Sequence, residues 1–218
     1  MLEERIYTID EIAAALKTGK RRQSIKKKLE SNNVEFEISG RGRSAMFDIK
    51  KINEPYKLYC KMELGFSGQC DFEKMLYVHY EFLNSDKYVG LKKKEKKKYM
   101  DKKYIHISRQ TISNNIKRLE NLGWIHFSSD NCKYYFSSKG VHVDCDKEKY
   151  SEAWAYYFEQ TGKCGRETKD VIGDIIRRYG GVPRKHLLPD INVLNSDEIN
   201  AYNDILCAEM ERRFSPNN

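Results

Sequence analysis

Residues 108–125 read SRQTISNNIKRLENLGWI, a pattern that predicts a helix leading into a strand. Ser108 is a suitable N-cap, and Gly123 suits the left-handed turn that ends many helices. Apolar residues recur between them at helical spacing: Ile112, Ile116, Leu119 and Leu122. Residues 124–137 follow with two runs of strand-forming residues around a Ser-Asp-Asn turn, and they predict a β-hairpin directly after the helix.

This phrase resembles the recognition helix of winged-helix transcriptional regulators and of winged-helix replication proteins of phages and plasmids. The resemblance implies that the helix enters the major groove of DNA, where Arg pairs with guanine and Asn or Gln with adenine. Six residues of its first turns are then expected near base edges or flanking phosphates: Ser108, Arg109, Gln110, Thr111, Asn114 and Asn115. Lys117 and Arg118 are expected to lie against the DNA backbone, and Lys133 to contact DNA from the hairpin.

Positive charge is concentrated just before this helix. The 218-residue chain has a formal net charge of +8, and residues 91–120 carry all of that excess, with 11 basic and 3 acidic residues. Much of it lies in the run LKKKEKKKYMDKKY, residues 91–104. A lysine run is usually a solvated loop, but beside a recognition helix it favours a polyanionic partner, with the lysines of residues 92–98 against phosphates.

The first fifty residues show a similar order of signals. Thr8 or Asp10 can cap a first helix, Gly19 suits its end, and a second, basic helix is predicted over residues 21–31. Strands with apolar and polar alternation flank a link rich in Gly and Arg, and they predict a β-hairpin over residues 34–49.

Residues 11–16, 24–29 and 40–43 carry a resemblance to the winged-helix module at the N-terminus of the bacteriophage Mu repressor and transposase. The order of elements also resembles excisionase-like modules. The resemblance implies DNA binding through the second helix and the hairpin, without transposase chemistry. The residues expected to contact DNA are Arg21, Arg22, Gln23, Lys26, Lys27, Arg41 and Arg43. Arginines on a thin glycine-rich loop suit the minor groove or a phosphate.

These signals predict an α+β, mostly helical fold with two winged helix-turn-helix domains, at residues 1–50 and 71–140, joined by a connector over residues 51–70. Residues 147–218 show helical periodicity broken by Gly and Pro, and they predict a small helical bundle that serves homodimerisation or docks a partner. An aromatic stripe in this region, represented by Trp154 and Tyr157, is interpreted as part of the core of that bundle.

Motifs for catalysis or metal binding are weak. The chain has no P-loop and no HxH pair. The HxxR at residues 106–109 is formally shared with tyrosine recombinases, but helix capping already explains Ser108. The best zinc candidates lack the close spacing of a structural site: Cys132, His142, Cys145 and Cys164. We therefore expect no enzyme activity, no cofactor and no metal. The sequence also lacks a signal peptide and a membrane span, so we expect a cytoplasmic protein without a membrane partner.

The sequence thus favours a protein that binds double-stranded DNA at a specific site, as a transcriptional regulator of a mobile element. Two alternatives stay open. A replication initiator or replisome organiser of a phage or plasmid would bind repeated sites at an origin. A protein-interaction adaptor with degenerate winged helices would show no salt-dependent DNA binding.

Overall fold

The structure, a computed structural model, describes residues 2–66, 69–191 and 195–215 of the chain. These residues form two compact units. The first unit contains the chain up to Leu83 and again from Asp197 onward, and the second unit contains Asn84–Ser196. The fold is α+β and mostly helical, which confirms the predicted class at this level.

The N-terminal part of the first unit is a three-stranded antiparallel sheet with two helices. Its elements are β1 (Ile6–Thr8), α1 (Ile9–Ala15), α2 (Arg22–Ser31), β2 (Val34–Ser39) and β3 (Met46–Ile52). The strand order is β1-β3-β2, and a single 3-10 turn, Gly42–Ser44, lies at the tip of the β2–β3 hairpin. The apolar stripes of both helices and the inner face of the sheet form one core, whose fully buried members include Ile12, Leu16, Ile25, Leu29 and Phe47.

Local signals explain the boundaries of these elements. Thr8 is the N-cap of α1: its hydroxyl accepts a hydrogen bond from the Glu11 N–H at 3.3 Å, and the Glu11 carboxylate accepts one from the Thr8 N–H at 2.8 Å. This reciprocal pair is a capping box. After α1, the left-handed conformation is adopted by Lys17, with φ of 49°, instead of Gly19, where the sequence predicted the break.

The rest of the first unit is helical: α3 (Pro55–Met62), α4 (Phe72–Asn84) and α10 (Ser196–Phe214). Tyr202 of α10 is completely buried, with its hydroxyl 3.3 Å from the Tyr56 hydroxyl and 2.7 Å from His79 Nδ1. Burial holds the pKa of both tyrosines well above the ordinary value. The polar contacts between α10, α3 and α4 therefore lie inside the core of this unit.

The second unit consists of α5 (Asp86–Val89), α6 (Lys93–Lys103), α7 (Arg109–Asn121), β4 (Ile125–Ser138), β5 (Val141–Cys145), α8 (Lys147–Phe158), α9 (Thr168–Tyr179) and β6 (Val182–Ile191). The strands form an antiparallel sheet in the order β5-β4-β6. The predicted helix over residues 108–122 corresponds to α7, because the Ser108 hydroxyl accepts from the Thr111 N–H at 3.1 Å and Gly123 ends the helix with φ of 72°.

The β4–β5 hairpin turns later than predicted. Residues 129–131 lie within β4, where pairing with β6 shifts register between Phe127 and Cys132. Asn131 holds this irregularity, since its N–H donates to Ser128 Oγ at 3.2 Å and its side-chain amide donates to Asp190 at 2.6 Å. The hairpin turn is Lys139–Gly140, both with positive φ, as a two-residue type I′ turn requires.

The predicted division of the chain needs correction. Residues 147–218 do not form one helical bundle: α8, α9 and β6 belong to the second unit and α10 to the first. The predicted second domain also loses its first helix, α4, to the first unit, and the predicted connector contains α3. Strand β6 was not predicted, because its sequence contains two prolines. It is an edge strand, and Pro is tolerated at sheet edges because one side of such a strand makes no ladder hydrogen bonds.

The aromatic stripe of α8 is also not the buried core that the sequence predicted. Ala153 is the buried residue of this helix, whereas Trp154 and Tyr157 are half-buried. Phe158 is 64% exposed and stacks on Trp154 with ring centroids 5.7 Å apart.

Candidate nucleic-acid interface

A basic cleft of about 750 Å³ lies in the first unit, where the start of α1, the start of α2 and the tip of the β2–β3 hairpin come together. We call it the arginine cleft. It is lined by Thr8, Ile9, Asp10, Lys20, Arg21, Arg22, Gly42 and Arg43. Three of the predicted DNA contacts, from two separate sequence segments, are therefore in one place.

The cations of this cleft differ in their availability. Lys20, which the sequence analysis missed, forms an ion pair with Asp10 at 2.9 Å. Arg21, Arg22 and Arg43 are exposed, and none of them forms an ion pair within the described residues. Their guanidinium groups are thus free to bind an external anion.

The conformation of the hairpin tip, which carries Arg41 and Arg43, depends on two glycines with positive φ. Gly40 has φ of 76°, and a Cβ atom there would lie 2.6 Å from the Ser44 carbonyl oxygen. Only glycine, which has no Cβ atom, avoids this clash. Gly42 has φ of 58° and separates Arg41 from Arg43. Both arginines are exposed, although only Arg43 lines the arginine cleft.

The other predicted contacts of α2 lie on its solvent-exposed surface. Gln23 and Lys27 are four residues apart and share a face. Lys26 is exposed and pairs with Glu30 at 3.6 Å. An exposed ion pair of this kind contributes about 0–1 kcal/mol to stability, so a DNA phosphate can displace Glu30 at little cost.

The second surface is the exposed side of α7. Arg109, Gln110, Asn114 and Lys117 are all exposed, and the Gln110 side-chain amide donates to Asn114 Oδ1 at 2.8 Å. The last three follow the helical i, i+4, i+7 spacing, so they form one stripe. This stripe, with Arg109 beside it, is called the α7 stripe below.

Four other predicted contacts, Ser108, Thr111, Asn115 and Arg118, bond within α7 or at its N-cap. Ser108 is its N-cap, and its hydroxyl also lies 2.9 Å from the half-buried Thr111 hydroxyl. Asn115 is 1% exposed, and its side-chain oxygen, Oδ1, accepts a hydrogen bond from the half-buried Arg118 guanidinium. Asn115 is therefore not a surface contact, and its assignment to the DNA interface was wrong because it lies on the buried side with Ile112 and Leu119.

The lysine run is a helix, α6, and its lysines have different environments. Lys94, Lys98 and Lys102 are exposed at i, i+4, i+8 spacing, with no ion pair among the described residues. They form a row that we call the α6 row. Lys97 instead pairs with Asp101 at 2.5 Å.

Lys96 is buried although it lies in the same run. Its ammonium donates to the carbonyl oxygens of Val89 at 2.7 Å and Leu91 at 2.5 Å, so it fastens the end of α5 to α6. Burial lowers the pKa of Lys96 to about 8. Not every lysine of the run is therefore available to a polyanion.

Lys133 lies apart from the residues of α7. It lines a pocket of about 240 Å³ with Gly90, Lys92, Glu95, Tyr135, His142, Asp144 and His186. We call this the sheet-face pocket. Sequence reasoning missed it because β6 was not recognised as a strand, although the polar residues at alternate positions of β4 were a signal.

No group of three or more His, Cys, Asp or Glu side chains in the described ranges is placed to hold a metal ion. The cysteines are free thiols. Among helices in those ranges, none has both the length and the apolar character needed to cross a membrane. Comparison of the chain with protein-family models, curated proteins and solved structures gives no match.

Proposed function

We propose that this chain binds double-stranded DNA at a specific sequence and acts as a transcriptional regulator of a mobile element. The observation that carries the proposal is the α7 stripe, which displays Arg109, Gln110 and Asn114 on the first turns of a Ser-capped helix. The α6 row precedes it with three exposed lysines. Side chains of the types that suit base edges thus lie on the helix that follows, along the chain, a helix with cations suited to phosphates.

In this proposal the first turns of α7 enter the major groove. Arg109 suits guanine as a bidentate partner, and Gln110 or Asn114 suits adenine. Their mutual hydrogen bond fixes both amides before binding, which lowers the conformational entropy lost on contact. The α6 row and Lys117 neutralise phosphates and set the register without reading sequence.

The arginine cleft supplies a second, independent contact. Arg21 and Arg22 start α2, and the hairpin presents Arg41 and Arg43, as expected of a winged helix that grips phosphates or the minor groove. Two DNA-binding units on one chain gain from linkage, because the second contact becomes intramolecular once the first has formed. The two surfaces support binding without a chemical step, so the proposal includes neither catalysis nor a cofactor.

The partner-docking role predicted for residues 147–218 narrows to α8. Its Phe158 is 64% exposed and stacks on the half-buried Trp154, which gives a homodimer or helical partner an apolar surface to cover. Ile191 and Phe214 are also exposed in residues 147–218, at 52% and 56%, but neither lies on a comparable aromatic cluster of α8. This part of the proposal is tested by measuring the mass of the protein in solution for the unmodified chain and for Phe158→Ser, which is expected to lower any self-association.

The test of DNA binding is fluorescence anisotropy with labelled duplexes over a salt series, followed by footprinting on the DNA around the chain's own gene. We expect affinity to fall steeply with salt and a protected operator next to a promoter. Repeated protected sites at an origin would favour the replication initiator instead. Salt-independent or undetectable binding at about 0.1 M salt would contradict both and favour the adaptor.

A further inference from the structure

The sheet-face pocket joins residues from three strands and the loop before α6. Lys133 pairs with His186, and Tyr135 pairs with Asp144, in the antiparallel registers of β4 with β6 and β5. Paired side chains point to the same face of a sheet, and so do residues two apart on one strand. These four residues therefore share one face.

Three residues from outside the sheet, Gly90, Lys92 and Glu95, also line the pocket. The Lys92 ammonium lies 3.5 Å from the centroid of the Tyr135 ring, a cation–π contact. Gly90 lies opposite Lys133, and a Cβ atom there would be 3.7 Å from the Lys133 ammonium nitrogen. Gly90 therefore forms part of the pocket wall beside that ammonium.

His186 supplies an unsatisfied polar atom. Its Nε2 is buried and has no hydrogen-bond partner among the described residues. Burial lowers the pKa of His186, and the charges of Lys96 and Lys92 lower it further. A buried polar atom without a partner costs free energy, so a ligand oxygen that accepts from this nitrogen would be bound favourably.

The two carboxylates of the pocket do not occupy these donors. Glu95 accepts a hydrogen bond from the Lys92 backbone N–H at 2.9 Å. Burial lowers the pKa of Lys92, and the charges of Glu95 and Asp144 oppose that shift. The charge of Glu95 also acts on His186. Lys133 forms no ion pair in the part of the chain that the structure describes. Neighbouring cross-strand residues, Lys133 and His186, thus both line the same space, and His186 Nε2 is a donor there in the tautomer that carries its proton.

We propose that the sheet-face pocket binds a phosphate group, held by the Lys133 ammonium and His186 Nε2 and flanked by Lys92. A phosphate has several strong acceptor oxygens, and hydrogen bonds from charged donors to it are short and strong. The volume of about 240 Å³ is below the roughly 300–1,000 Å³ typical of sites for drug-sized ligands, which favours a single anionic group.

The phosphate has two sources that share this chemistry: a phosphodiester of bound DNA and a free phosphate or phosphate monoester. The pocket does not depend on the α7 stripe, so its test needs no DNA. Inorganic phosphate is titrated into the full chain while the ring nitrogen resonances of the histidines are followed by NMR, with sodium chloride at equal ionic strength as a reference.

We expect phosphate, and not chloride, to shift the His186 Nε2 resonance with saturation. Lys133→Gln is expected to weaken this binding about tenfold, since one charge-assisted hydrogen bond is lost. Lys185→Gln is the matched control, because Lys185 is exposed and adjacent to His186 but pairs with Tyr134 on the opposite face of the sheet. It should leave the affinity for phosphate unchanged.

Either of two results would overturn the proposal: no saturable shift of His186 with phosphate, or equal weakening by Lys133→Gln and Lys185→Gln. The source is identified by repeating the titration with adenosine monophosphate and with a duplex that lacks terminal phosphates. A His186 shift with the duplex assigns the pocket to the DNA backbone, and a shift with the monophosphate alone assigns it to a free ester. If phosphate binds but no duplex does, the proposed function fails and the pocket remains.

Discussion

The two units both contain a pair of helices followed by an antiparallel hairpin, but they place their cations differently. In the first unit, arginines occupy the start of α2 and the hairpin tip, and three of them meet in the arginine cleft. In the second unit, the hairpin turn carries one lysine, Lys139, and the exposed cations proposed to contact DNA lie mainly on α6 and α7. The arrangement in the first unit suits DNA binding through the hairpin, and the arrangement in the second unit suits DNA binding through the helices.

The difference also separates two kinds of contact. Arginine is a planar donor that binds phosphate or guanine in a fixed geometry, whereas lysine acts on phosphate as a mobile point charge. The α6 row should therefore add affinity that depends on salt and not on sequence. Sequence discrimination should come from the α7 stripe, where amides and Arg109 are ordered by the helix.

The largest effect is expected from the α6 row. The triple variant Lys94→Gln, Lys98→Gln, Lys102→Gln should lower the salt slope of duplex binding by about 2.7, because each neutralised phosphate contributes about 0.9. At about 0.1 M salt this corresponds to a loss of several hundredfold in affinity. Anisotropy over a salt series measures both quantities.

A matched control for that variant replaces three exposed lysines by Gln: Lys147 and Lys149 of α8, and Lys163 of the π-helical turn Glu159–Lys163 that follows it. It removes the same charge from the same unit. If it lowers the slope as much as the α6 triple does, the effect is one of overall charge and the row is not a contact surface.

A smaller effect is expected at the hairpin tip. Replacing Arg41 and Arg43 by Gln should lower the salt slope by about 1.8 and weaken binding to matched and scrambled duplexes alike. Unequal losses on the two duplexes would show that the tip reads sequence, and the contrast drawn between the units would then fail. Thermal unfolding should be unchanged, since both side chains are exposed.

The α7 stripe should discriminate between sequences. Arg109→Ala is expected to cost about 1–3 kcal/mol on the preferred duplex and little on a scrambled one. Asn115→Ala should do the reverse: it removes a buried carbonyl that accepts from Arg118, so it should lower the free energy of unfolding by about 1–3 kcal/mol and leave the sequence preference intact. Competition binding and urea unfolding of both variants test this pair.

The elements that the sequence predicts well are those fixed by neighbouring residues. The Ser108 cap, the apolar stripe of α7 and the alternating strands around Gly40 all act within a few residues, and the structure contains the corresponding helix and hairpin. The pairing of β6 with β4, and the packing of α10 against α3 and α4, depend on partners far apart in the sequence. No local period signals them.

The candidate surfaces divide in the same way. Residue type and spacing place Arg109, Gln110 and Asn114 correctly on an exposed helical face. Residue type and spacing predict the exposure of Asn115 and Lys96 wrongly, because a polar residue is expected to be exposed unless a buried hydrogen-bond partner is known. Arg118 supplies that partner for Asn115, and the carbonyl oxygens of Val89 and Leu91 supply it for Lys96.

The burial of Lys96, in contrast to the exposed lysines of α6, predicts a pH dependence of the free energy of unfolding. Burial lowers the pKa of Lys96 from 10.5 to about 8, so between these values the unfolded chain binds a proton that the folded chain lacks. Stability should therefore rise with pH across this window, by at most about 1.4 kcal/mol per unit, and fall as pH drops through 8.

Lys96→Met removes this contribution, and Lys98→Met is its matched control, because Lys98 is exposed on the same helix. Urea unfolding from pH 7.5 to 10 should show a smaller rise in stability for Lys96→Met than for Lys98→Met. Parallel pH profiles would mean that the two carbonyl oxygens hold the ammonium charged throughout. Lys96 would then stabilise the junction of α5 and α6 as a permanent cation, and the run would contain no lysine that titrates near neutral pH.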